Sequence, residues 1–536
     1  MVYEANKDYQ SDYAFNYFGK RITYREFFHK VDTVSRSLTK LGVKSDDIVT
    51  IMGLASPETF YVAYACSKIG AIINLISVLA GEQELVRYLN EAKSSVFIAL
   101  DLFNDKIIKA LPQTGVKTVV NMSLAESMPL HIKAAFKLKA KVQKCAGFMS
   151  WKDFLALAEG QPKVRTFQFK PNRFSYLAHT GGTTGEPKGV MLMEESFNGI
   201  AEEHLLLFDH HRQTKWLNTI VPFVVYGFLM NAHIPLCIGM EIYLLPKVDA
   251  KKIPQIILKN KINYLDTVPP FISYLCQNKA FKNADLSFIQ VCGVGGDGLT
   301  EELENKTNQL LRKNGAPYNI MNGYGATEVC AVASLNYYGQ FSGSLGIPIS
   351  RNTISVFDPD SEKELSHDEI GEICILTPYR MLGYLNNPEE TVKVIKRHKD
   401  GNEWFHTGDL GFMNEKGAVY ITGRIKRIIL TEKDGMVSKI FPDQIEKLLE
   451  THEAVEVACA VKHSGNAAEE KMTAVVVLKP QYRAEIRKIE QELRALCDAE
   501  LPEYSRPDRY TFRDVMPLTA AGKVDFRSLE KLAEQG

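Results

Sequence analysis

Short apolar runs and longer amphipathic stretches alternate along the first part of the chain. The run Ile48–Met52 precedes a helical pattern over Pro57–Ile69. A second helical pattern, Glu82–Ala92, precedes the run Ser95–Leu100. Apolar runs that alternate with helical stretches of about 10–15 residues are typical of a largely parallel sheet with helices packed against it. The alternation resumes between residues 174 and 324, so the sequence predicts an α/β fold.

The pattern changes twice towards the end of the chain. From Gly343 to Leu410 short β-type runs are separated by turn residues, and beyond Arg424 helices and strands form a compact α+β segment. The 536 residues are too many for one hydrophobic core, because cores stop growing near about 250–300 residues. We therefore predict a large N-terminal domain over residues 1–424, with a short β-barrel-like region near 343–424, and a small α+β C-terminal domain over 425–536.

Two segments bear on membrane contact. Trp216–Met240 contains no Lys, Arg, Asp or Glu and is long enough for a span of about 20 residues. Pro222, Gly227 and Pro235 interrupt it, so we predict a short strand, a turn and a helix in the protein interior. Met128–Ala146 carries five lysines beside apolar residues. We favour a solvated surface helix there, and a helix that rests on an anionic membrane is the alternative.

Charge and cysteine usage exclude other classes of protein. Lys plus Arg and Asp plus Glu are 64 each, so the chain has no overall positive field that would hold nucleic acid. The nine cysteines are scattered without a CxxC pair, which argues against a disulfide framework and against a zinc site. The N-terminus lacks the basic and apolar regions of a secretion signal. Together these observations indicate a cytoplasmic protein.

A segment rich in glycine and threonine, Thr180–Gly189, follows a strand-like run that ends at Ala178. Glycines let the backbone fold tightly and turn its N–H groups towards an anion, while the hydroxyl groups and the ammonium of Lys188 add donors. This composition indicates a phosphate-binding loop. It differs from the P-loop of NTPases, because Pro187 precedes the lysine where that motif has glycine. A surface turn is the alternative.

Two more glycine loops follow strand-like runs further along the chain. Gly293–Gly298 formally matches GxGxxG, but the next strand lacks the acidic residue that a nicotinamide dinucleotide requires, so we reject that cofactor. We expect its backbone to approach a flat ligand. In Asn322–Glu328, Tyr324 offers a ring for stacking and Gly325 permits close approach. A carboxylate near phosphates needs a cation between them, so Glu328 is a candidate Mg²⁺ ligand, and a plain turn is the alternative.

The last two loops carry a candidate acid and two candidate cations. Phe405–Leu410 contains Asp409, whose carboxylate can accept hydrogen bonds from both hydroxyls of a ribose, and Arg424 follows shortly after. Leu518–Asp525 contains Lys523 on a glycine turn. On its own such a lysine is most often only solvent-exposed, so its significance depends on the other loops.

These five loops, in this order and at these intervals, resemble the adenylate-forming (AMP-binding) superfamily, which includes acyl-CoA synthetases, firefly luciferase and nonribosomal-peptide adenylation domains. The similarity extends from about Thr23 to Leu529 and is closest in pattern to the acyl-CoA synthetases and fatty-acid–CoA ligases. The resemblance implies a mobile C-terminal domain that rotates on a hinge at Lys426. It also implies that the protein uses ATP, Mg²⁺ and coenzyme A.

The resemblance assigns roles residue by residue. It implies that Lys523, Thr184 and Glu328 are catalytic, and that Thr184 and Glu328 also hold Mg²⁺. Lys426 would be the hinge, and Gly435 would line the coenzyme A tunnel. The nucleotide-binding residues that it implies are Thr180, Gly181, Gly182, Thr183, Thr184, Gly185, Lys188, Gly295, Gly296, Asp297, Asn322, Gly323, Tyr324, Gly325, Thr327, Asp409, Ile421 and Arg424.

The expected acyl pocket is mainly apolar and suits an aliphatic or aromatic chain. Its residues are Phe223, Val224, Val225, Tyr226 and Gly323. Segment 221–227 has neither the histidine that many aryl ligases carry there nor the aspartate with which amino-acid-activating relatives pair the substrate ammonium. A proteinogenic amino acid is therefore disfavoured, since a buried ammonium without a partner is costly.

The function that the resemblance implies is that of an acid–thiol ligase. A carboxylic acid, fatty or otherwise apolar, would react with ATP to give acyl-AMP and pyrophosphate, and the acyl group would then pass to coenzyme A. The alternative acceptor is a free acyl or peptidyl carrier protein. A catalytically inactive binding protein is disfavoured, because Lys188, Glu328, Asp409 and Lys523 are all present.

Overall fold

The structure is a computed structural model that describes residues 1–140, 142–143, 145–180, 187–427, 429–433, 436–464, 470–518 and 524–535. It divides into two compact units. The first comprises Met1–Thr180, Lys188–Thr353 and Leu376–Phe405, and the second comprises Ile354–Ile375 together with the chain from His406 onwards. The predicted class, α/β with a large N-terminal and a small C-terminal domain, is confirmed. The domain boundary at residues 424 and 425 stays a prediction.

Nine strands of the described residues form one sheet of the first unit. Its parallel strands, in spatial order, are Tyr13–Tyr17, Glu241–Leu244, Lys215–Asn218, Tyr264–Thr267, Val291–Val294 and Met321–Tyr324. Antiparallel strands extend its two edges, Lys20–Thr23 on one side and Ser334–Leu335 and Ile347–Pro348 on the other. Because parallel strands end at one edge of a sheet, the glycine loops that follow Val294 and Tyr324 lie next to each other.

Eight strands of the described chain form a second sheet in the same unit. Their spatial order is Gly383–Tyr384, Gly189–Met193, Phe174–His179, Ile72–Leu75, Ile48–Met52, Val96–Leu100, Thr118–Met122 and Met149–Ser150. The strands from Phe174–His179 onwards run parallel, while Gly189–Met193 is antiparallel to its neighbours on both sides. The predicted phosphate loop therefore connects the two strands of a hairpin at one side of this sheet.

Helices connect the strands of the first unit. The helix Pro57–Ile69 has proline in its first turn and ends at Gly70, whose φ of 76° is the left-handed conformation that glycine adopts most easily. The helices are Val2–Asn6, Tyr24–Lys40, Pro57–Ile69, Glu82–Glu91, Asn104–Ala110, Leu130–Lys139, Trp151–Ala156, Glu194–Leu207, Val225–Phe228, the π-helical turn Leu229–His233, Ile234–Ile238, Ile253–Asn260, Pro269–Gln277, Lys279–Lys282, Glu301–Lys313 and Pro388–Val394.

Aromatic side chains fix the helical segment 225–238 within the core of the first unit. The ring of Phe228 lies 5.3 Å from that of Tyr176, on a strand of the second sheet, and 6.3 Å from that of Phe60. Phe60 in turn stacks on Phe15 at 5.6 Å. Such rings bury large areas and pack in defined geometries, so they hold the predicted acyl segment, which precedes Phe228, in one position.

The C-terminal part of the second unit has the α+β composition that the sequence predicts. Its strands are Ile429–Lys433 and Met436–Ile440, which form a hairpin, and Val455–Ser464, Glu470–Leu478 and Arg509–Arg513, which form a sheet. Its helices are Pro442–Glu450, Ile486–Glu500 and Phe526–Gln535. Strands Thr353–Phe357, Gly371–Leu376, Glu403–Met413 and Val419–Arg424 belong largely to the second unit, and the strand Ile395–Arg397 belongs to the first.

The two segments considered for membrane contact form short elements. Trp216–Met240 contains the end of a strand and three short helical turns, as its interrupted pattern predicts. Within Met128–Ala146 a helix covers Leu130–Lys139, where Leu130 and Leu138 are largely exposed. Within the described part of the chain no helix has both the length and the apolar character that a membrane crossing requires.

A largely buried arginine stabilises the second unit. Arg427 donates hydrogen bonds to Asp443 at 2.7 Å, to Glu446 at 2.5 Å and to the carbonyl oxygen of Ala460 at 3.1 Å. Its guanidinium also lies 3.9 Å from the centroid of the Phe526 ring. Burial acts to lower the pKa of Arg427, but the two carboxylates outweigh it and raise that pKa, so the side chain stays charged.

We predict that Arg427→Met lowers the free energy of unfolding of the second unit by about 3–5 kcal/mol, because it leaves Glu446 buried without its counter-charge. Arg483→Met is the matched control. It breaks the exposed ion pair with Asp514 and should cost less than about 1 kcal/mol. The measurement is native-state hydrogen exchange of the amides in Glu470–Leu478. Equal losses in the two variants would contradict the role given to burial.

Candidate active site

The two ends of the predicted phosphate loop are joined by hydrogen bonds. The Thr180 N–H donates to the carbonyl oxygen of Lys188 at 3.1 Å, and the Lys188 N–H donates to Oγ1 of Thr180 at 3.1 Å. Thr180 follows the strand Phe174–His179, and Lys188 precedes the strand Gly189–Met193. The hairpin therefore holds both ends of the loop side by side, and it fixes the backbone from which the Lys188 side chain extends.

The side chain of Lys188 lies between a carboxylate and an aromatic ring. Its Nζ forms an ion pair with Glu390, and it lies 4.7 Å from the centroid of the Tyr384 ring. Glu390 also pairs with Lys393 at 2.5 Å. The two ammonium groups, that of Lys188 first, lower the pKa of Glu390 to about 2. Glu390 is thus a carboxylate that holds Lys188 next to Tyr384.

Glu328 is bound to the same tyrosine. The Tyr384 hydroxyl donates to Oε1 of Glu328 at 2.8 Å, and the N–H of Met381 donates to the Glu328 carbonyl oxygen at 2.6 Å. Burial raises the pKa of Tyr384, and the neighbouring Glu328 raises it further, so the hydroxyl keeps the proton that it donates. Tyr384 therefore connects Lys188 of the phosphate loop with the candidate Mg²⁺ ligand.

The predicted stacking loop begins inside a strand and ends in a helical turn. The end of the strand Met321–Tyr324 contains Asn322, Gly323 and Tyr324. Thr327 and Glu328 lie in the 3₁₀ turn Thr327–Val329. Between them, a Cβ on Gly325 would lie 1.8 Å from the carbonyl oxygen of Ala331, so no side chain fits at this position. Glycine at this position therefore lets the loop pack on its own backbone, and the contact between Gly325 and the nucleotide stays a prediction.

The second glycine loop meets the predicted acyl segment. A Cβ on Gly295 would lie 3.1 Å from the carbonyl oxygen of Gly323 and 3.1 Å from the hydroxyl oxygen of Tyr226. One on Gly296 would lie 3.7 Å from the Tyr226 ring, and Asp297 is exposed beyond it. The structure thus brings together three groups that the sequence predicts separately: the adenine-binding backbone, the strand end at Gly323 and the acyl segment.

Tyr226 reaches a buried aspartate that the sequence analysis missed. Its hydroxyl donates to Oδ1 of Asp266 at 2.6 Å, and Asp266 lies in the strand Tyr264–Thr267. Burial raises the pKa of Asp266 to about 6, although the hydrogen bond from Tyr226 opposes this. No motif surrounds Asp266. Of the other acyl-segment residues, Val225 is buried, and Phe223 and Val224 are partly exposed.

The predicted ribose ligands form an ion pair with each other in the second unit. Asp409 and Arg424 are register partners on the strands Glu403–Met413 and Val419–Arg424, and Nε of Arg424 lies 2.9 Å from Oδ1 of Asp409. Ile421 lies on the same strand as Arg424. Lys426, the predicted hinge, is exposed in a 3₁₀ turn that follows directly.

A buried cluster positions the backbone next to Asp409. Glu372, Cys374 and His406 place one donor atom each within 4.8 Å of one another. Nδ1 of His406 lies 2.7 Å from Oε2 of Glu372 and 3.5 Å from Sγ of Cys374, and Oε1 of Glu372 accepts the Gly408 N–H at 2.9 Å. The cluster therefore fixes the turn that precedes Asp409. CxxC spacing, the signal sought in the sequence, does not detect such a group.

Seven of the predicted residues lie outside the described part of the chain. They are Gly181, Gly182, Thr183, Thr184, Gly185, Gly435 and Lys523. Their roles stay predictions.

Family models match most of the chain. The model described as AMP-binding enzyme matches residues 2–385. The chain belongs to the AMP-binding enzyme family. The model described as AMP-binding enzyme C-terminal domain matches residues 444–523 as well. The resemblance to the adenylate-forming superfamily, which rests on five loops of the sequence, is thereby confirmed.

The curated relatives of this AMP-binding enzyme include acid–CoA ligases. The long-chain-fatty-acid–CoA ligase of Bacillus subtilis (strain 168) is 29% identical over 526 residues, which cover 96% of this chain and 91% of the relative. The 4-coumarate–CoA ligase CCL1 of Humulus lupulus is 26% identical over 520 residues, which cover 94% of this chain and 88% of the relative.

Two solved structures share the fold. The anthranilate CoA ligase AuaEII in complex with anthranoyl-AMP has a TM-score of 0.83 at 22% identity, and the similarity covers 100% of this chain and 96% of that one. ATP-bound MatB from Rhodopseudomonas palustris has a TM-score of 0.85 at 21% identity, with 99% and 98% covered.

We predict that Gly325→Ala weakens ATP binding about tenfold, because the added Cβ would overlap the carbonyl oxygen of Ala331 and displace the loop that carries Glu328. Gly298→Ala is the matched control. Its Cβ would meet nothing within 4 Å, so this variant should bind ATP like the parent. Titration calorimetry on both proteins, after their melting temperatures show that they are folded, gives the comparison. Parent-like affinity in Gly325→Ala would show that the loop does not contribute to nucleotide binding.

Proposed function

We propose that this protein is an acid–thiol ligase that joins an apolar carboxylic acid to coenzyme A in two steps, with Mg·ATP as the energy source. In the first step an oxygen of the carboxylate attacks the α-phosphorus of ATP, the bond to pyrophosphate breaks, and acyl-AMP forms. In the second step the sulfur of coenzyme A attacks the acyl carbon, its proton passes to solvent, and AMP leaves with the electron pair of the broken C–O bond.

The observation that carries this proposal is the link that Tyr384 makes between Lys188 and Glu328. An ammonium group binds phosphate oxygens as a point charge, and a carboxylate binds the cation that accompanies them. A nucleotide triphosphate with its metal ion needs both groups at one place. One tyrosine contacts both, through its ring and through its hydroxyl, and this supports a shared role in binding Mg·ATP.

The donor set at Glu328 fits Mg²⁺. Carboxylate oxygens are ligands that this ion prefers, and the hydrogen bond from Tyr384 orients the carboxylate. Glu328 would hold the ion, with the hydroxyl of Thr184 as a second ligand, and the bound ion would offset charge on the phosphates. The chain's own groups do the rest: Lys188 binds phosphate, and Lys523 binds the substrate carboxylate and the α-phosphate.

The proposed contacts to adenine and ribose come from the second, third and fourth of the loops identified in the sequence. Tyr324 is the proposed stacking partner of adenine, and the backbone at Gly295 and Gly296 is its proposed edge contact. The Asp409–Arg424 pair remains the predicted ribose ligand of the second unit, where the arginine lies 2.9 Å from the carboxylate and orients it.

Coenzyme A is the acceptor that the relatives favour. The two curated relatives described above are both CoA ligases, one for long-chain fatty acids and one for 4-coumarate. The apolar residues Phe223, Val224 and Val225 support a chain that is mainly aliphatic or aromatic. A fatty acid is the acid that we propose, since the fatty-acid ligase is the more similar of these two relatives.

The experiment that tests the proposal is pyrophosphate release from Mg·ATP with a panel of acids, from acetate through long fatty acids to benzoates, with and without coenzyme A. We expect release that depends on the acid and turns over continuously only with coenzyme A. Release that coenzyme A does not stimulate would indicate a carrier protein as acceptor. Absence of release with every acid would contradict a ligase.

Lys188 and Lys393 both form ion pairs with Glu390, which makes them a matched pair for substitution. We predict that Lys188→Ala lowers kcat/KM for ATP by about 100-fold, because it removes a cation that stabilises phosphate charge. Lys393→Ala should stay within about threefold of the parent, since an exposed ion pair contributes little. Initial rates of pyrophosphate release at varied ATP give both values. Equal effects would mean that Lys188 only anchors Glu390.

A further inference from the structure

Buried polar groups collect at the carboxyl ends of the central strands in the nine-stranded sheet. Asn218 and Asp266 are register partners across two parallel strands, and Gly293 is the next partner in the same row. Register partners in a sheet point to the same face. Open α/β sheets bind their ligands outside the carboxyl ends of the strands, so this row lies where a ligand is expected.

Asp266 is incompletely hydrogen-bonded. Oδ1 accepts the Tyr226 hydroxyl, whereas Oδ2 is buried and has no hydrogen-bond partner among the described residues. The residue is only 5% exposed. In the described chain burial is the largest influence on its pKa, and no cation contributes to it. A carboxylate in such surroundings is costly unless a donor or a cation satisfies it.

Two amide side chains, that of the register partner Asn218 and that of Asn231, are also incompletely paired. Oδ1 of Asn218 and Nδ2 of Asn231 are buried without a partner in the part of the chain that the structure describes. Their other atoms are fixed, because Asn218 donates to the Asn231 carbonyl oxygen at 3.2 Å and Asn231 accepts the Thr219 N–H at 2.9 Å. Asn218 and Asp266 are register partners, so a polar ligand group at this row would find an unpaired atom on each of two neighbouring strands.

The row adjoins the predicted acyl pocket. The same Tyr226 hydroxyl that donates to Asp266 lies against Gly295, whose Cβ would be 3.1 Å away and equally close to the Gly323 carbonyl oxygen. A Cβ on Gly293 would lie 2.6 Å from Oδ1 of Asp266. Glycine at Gly293 and Gly295 therefore provides the space that the carboxylate and the tyrosine occupy.

We infer that Asp266, together with Tyr226, selects acids whose chain carries a hydrogen-bond donor, a hydroxyl or an amine, over the same acid without it. The donor would bind Oδ2 of Asp266. The inference rests on the proposed function, since it takes the pocket beside Tyr226 to hold the acyl chain. The inference specifies the proposed substrate further, as an acid whose mainly apolar chain carries one hydroxyl or amino group.

The physical reason for this selection is an asymmetry. Binding a substrate with a matching donor costs little free energy, because the donor gives up a hydrogen bond to water and gains one to the buried carboxylate. The analogue without the donor leaves that atom buried and unpaired, and such sites therefore reject the analogue strongly.

The test compares hexanoate with its hydroxyl and amino derivatives substituted at the second, third and last carbon. Pyrophosphate release from Mg·ATP gives kcat/KM for each acid. We expect at least one donor-bearing acid to exceed hexanoate by about tenfold or more. The hydroxyl and amino series show which of the two donors Asp266 accepts. Release with hexanoate and no gain from any donor would overturn the inference while the proposed function stands.

The variant Asp266→Leu keeps the branching of the side chain at Cγ and removes its polar atoms. We expect the ratio of kcat/KM between the preferred donor-bearing acid and hexanoate to fall about tenfold or more. Asp101→Leu is the matched control, because Asp101 follows a parallel strand of the other sheet and also has a buried unpaired oxygen. In Asp101→Leu the ratio of kcat/KM between the two acids should stay within about threefold of the parent value. An unchanged ratio in Asp266→Leu would overturn the inference.

Two further measurements keep the inference testable. If Asp266→Leu does not fold, Asp266→Asn is measured in its place, because it keeps the shape and removes the charge, and the same loss is expected. If no acid releases pyrophosphate, the proposed function fails, and the melting temperature decides the inference alone. The inference is supported if a donor-bearing acid raises the melting temperature of the parent protein, hexanoate does not, and neither acid raises that of Asp266→Leu. The inference is overturned if no donor-bearing acid raises the melting temperature of the parent.

Discussion

The candidate site depends on the pairing of a very short strand, Gly383–Tyr384, with the strand that leaves the phosphate loop. Backbone hydrogen bonds join Leu382 to Met191 at 2.9 Å and Leu385 to Gly189 at 2.7 Å, and the register places Tyr384 opposite Val190. Because Val190 lies two positions beyond Lys188, this register delivers the tyrosine to the lysine. The pairing on both sides of the strand Gly189–Met193 therefore fixes the backbone next to Lys188 and, with it, the position of this cation.

The sequence predicts those features of the fold that depend on neighbouring residues, such as helix ends and strands. Proline and glycine mark the ends of Pro57–Ile69, and the apolar run Ile48–Met52 coincides with a strand. The glycine and threonine content of residues 180–189 likewise predicts a phosphate loop, because backbone N–H groups and hydroxyls in a tight turn suit an anion. Tyr384 and Asp266 were missed because their significance depends on partners far along the chain, and the register of a two-residue strand leaves no periodic signal in one sequence.

In the second unit the sequence predicts individual ribose-binding residues, and the structure shows how they contact each other. Asp409 and Arg424 were separate candidates for ribose binding, yet they are register partners that form an ion pair. The arginine orients the carboxylate from one side, and the hydrogen bond from Gly408 to Glu372 fixes the turn before it. A ligand of Asp409 would thus meet a carboxylate that is already held in place, which lowers the entropy cost of binding.

The surroundings of Tyr226 show why a contiguous segment is a poor guide to the chemistry of a predicted acyl pocket. Residues 223–226 are apolar apart from one hydroxyl, and taken alone they indicate a hydrophobic acyl chain. The strand Tyr264–Thr267 supplies Asp266, whose carboxylate accepts a hydrogen bond from that hydroxyl, and glycine at Gly293 leaves room for the carboxylate. Apolar neighbours accept many chains equally well. Under our inference a carboxylate buried with one oxygen paired and the other unpaired discriminates between them, so Asp266 defines the substrate more sharply than the apolar residues around it.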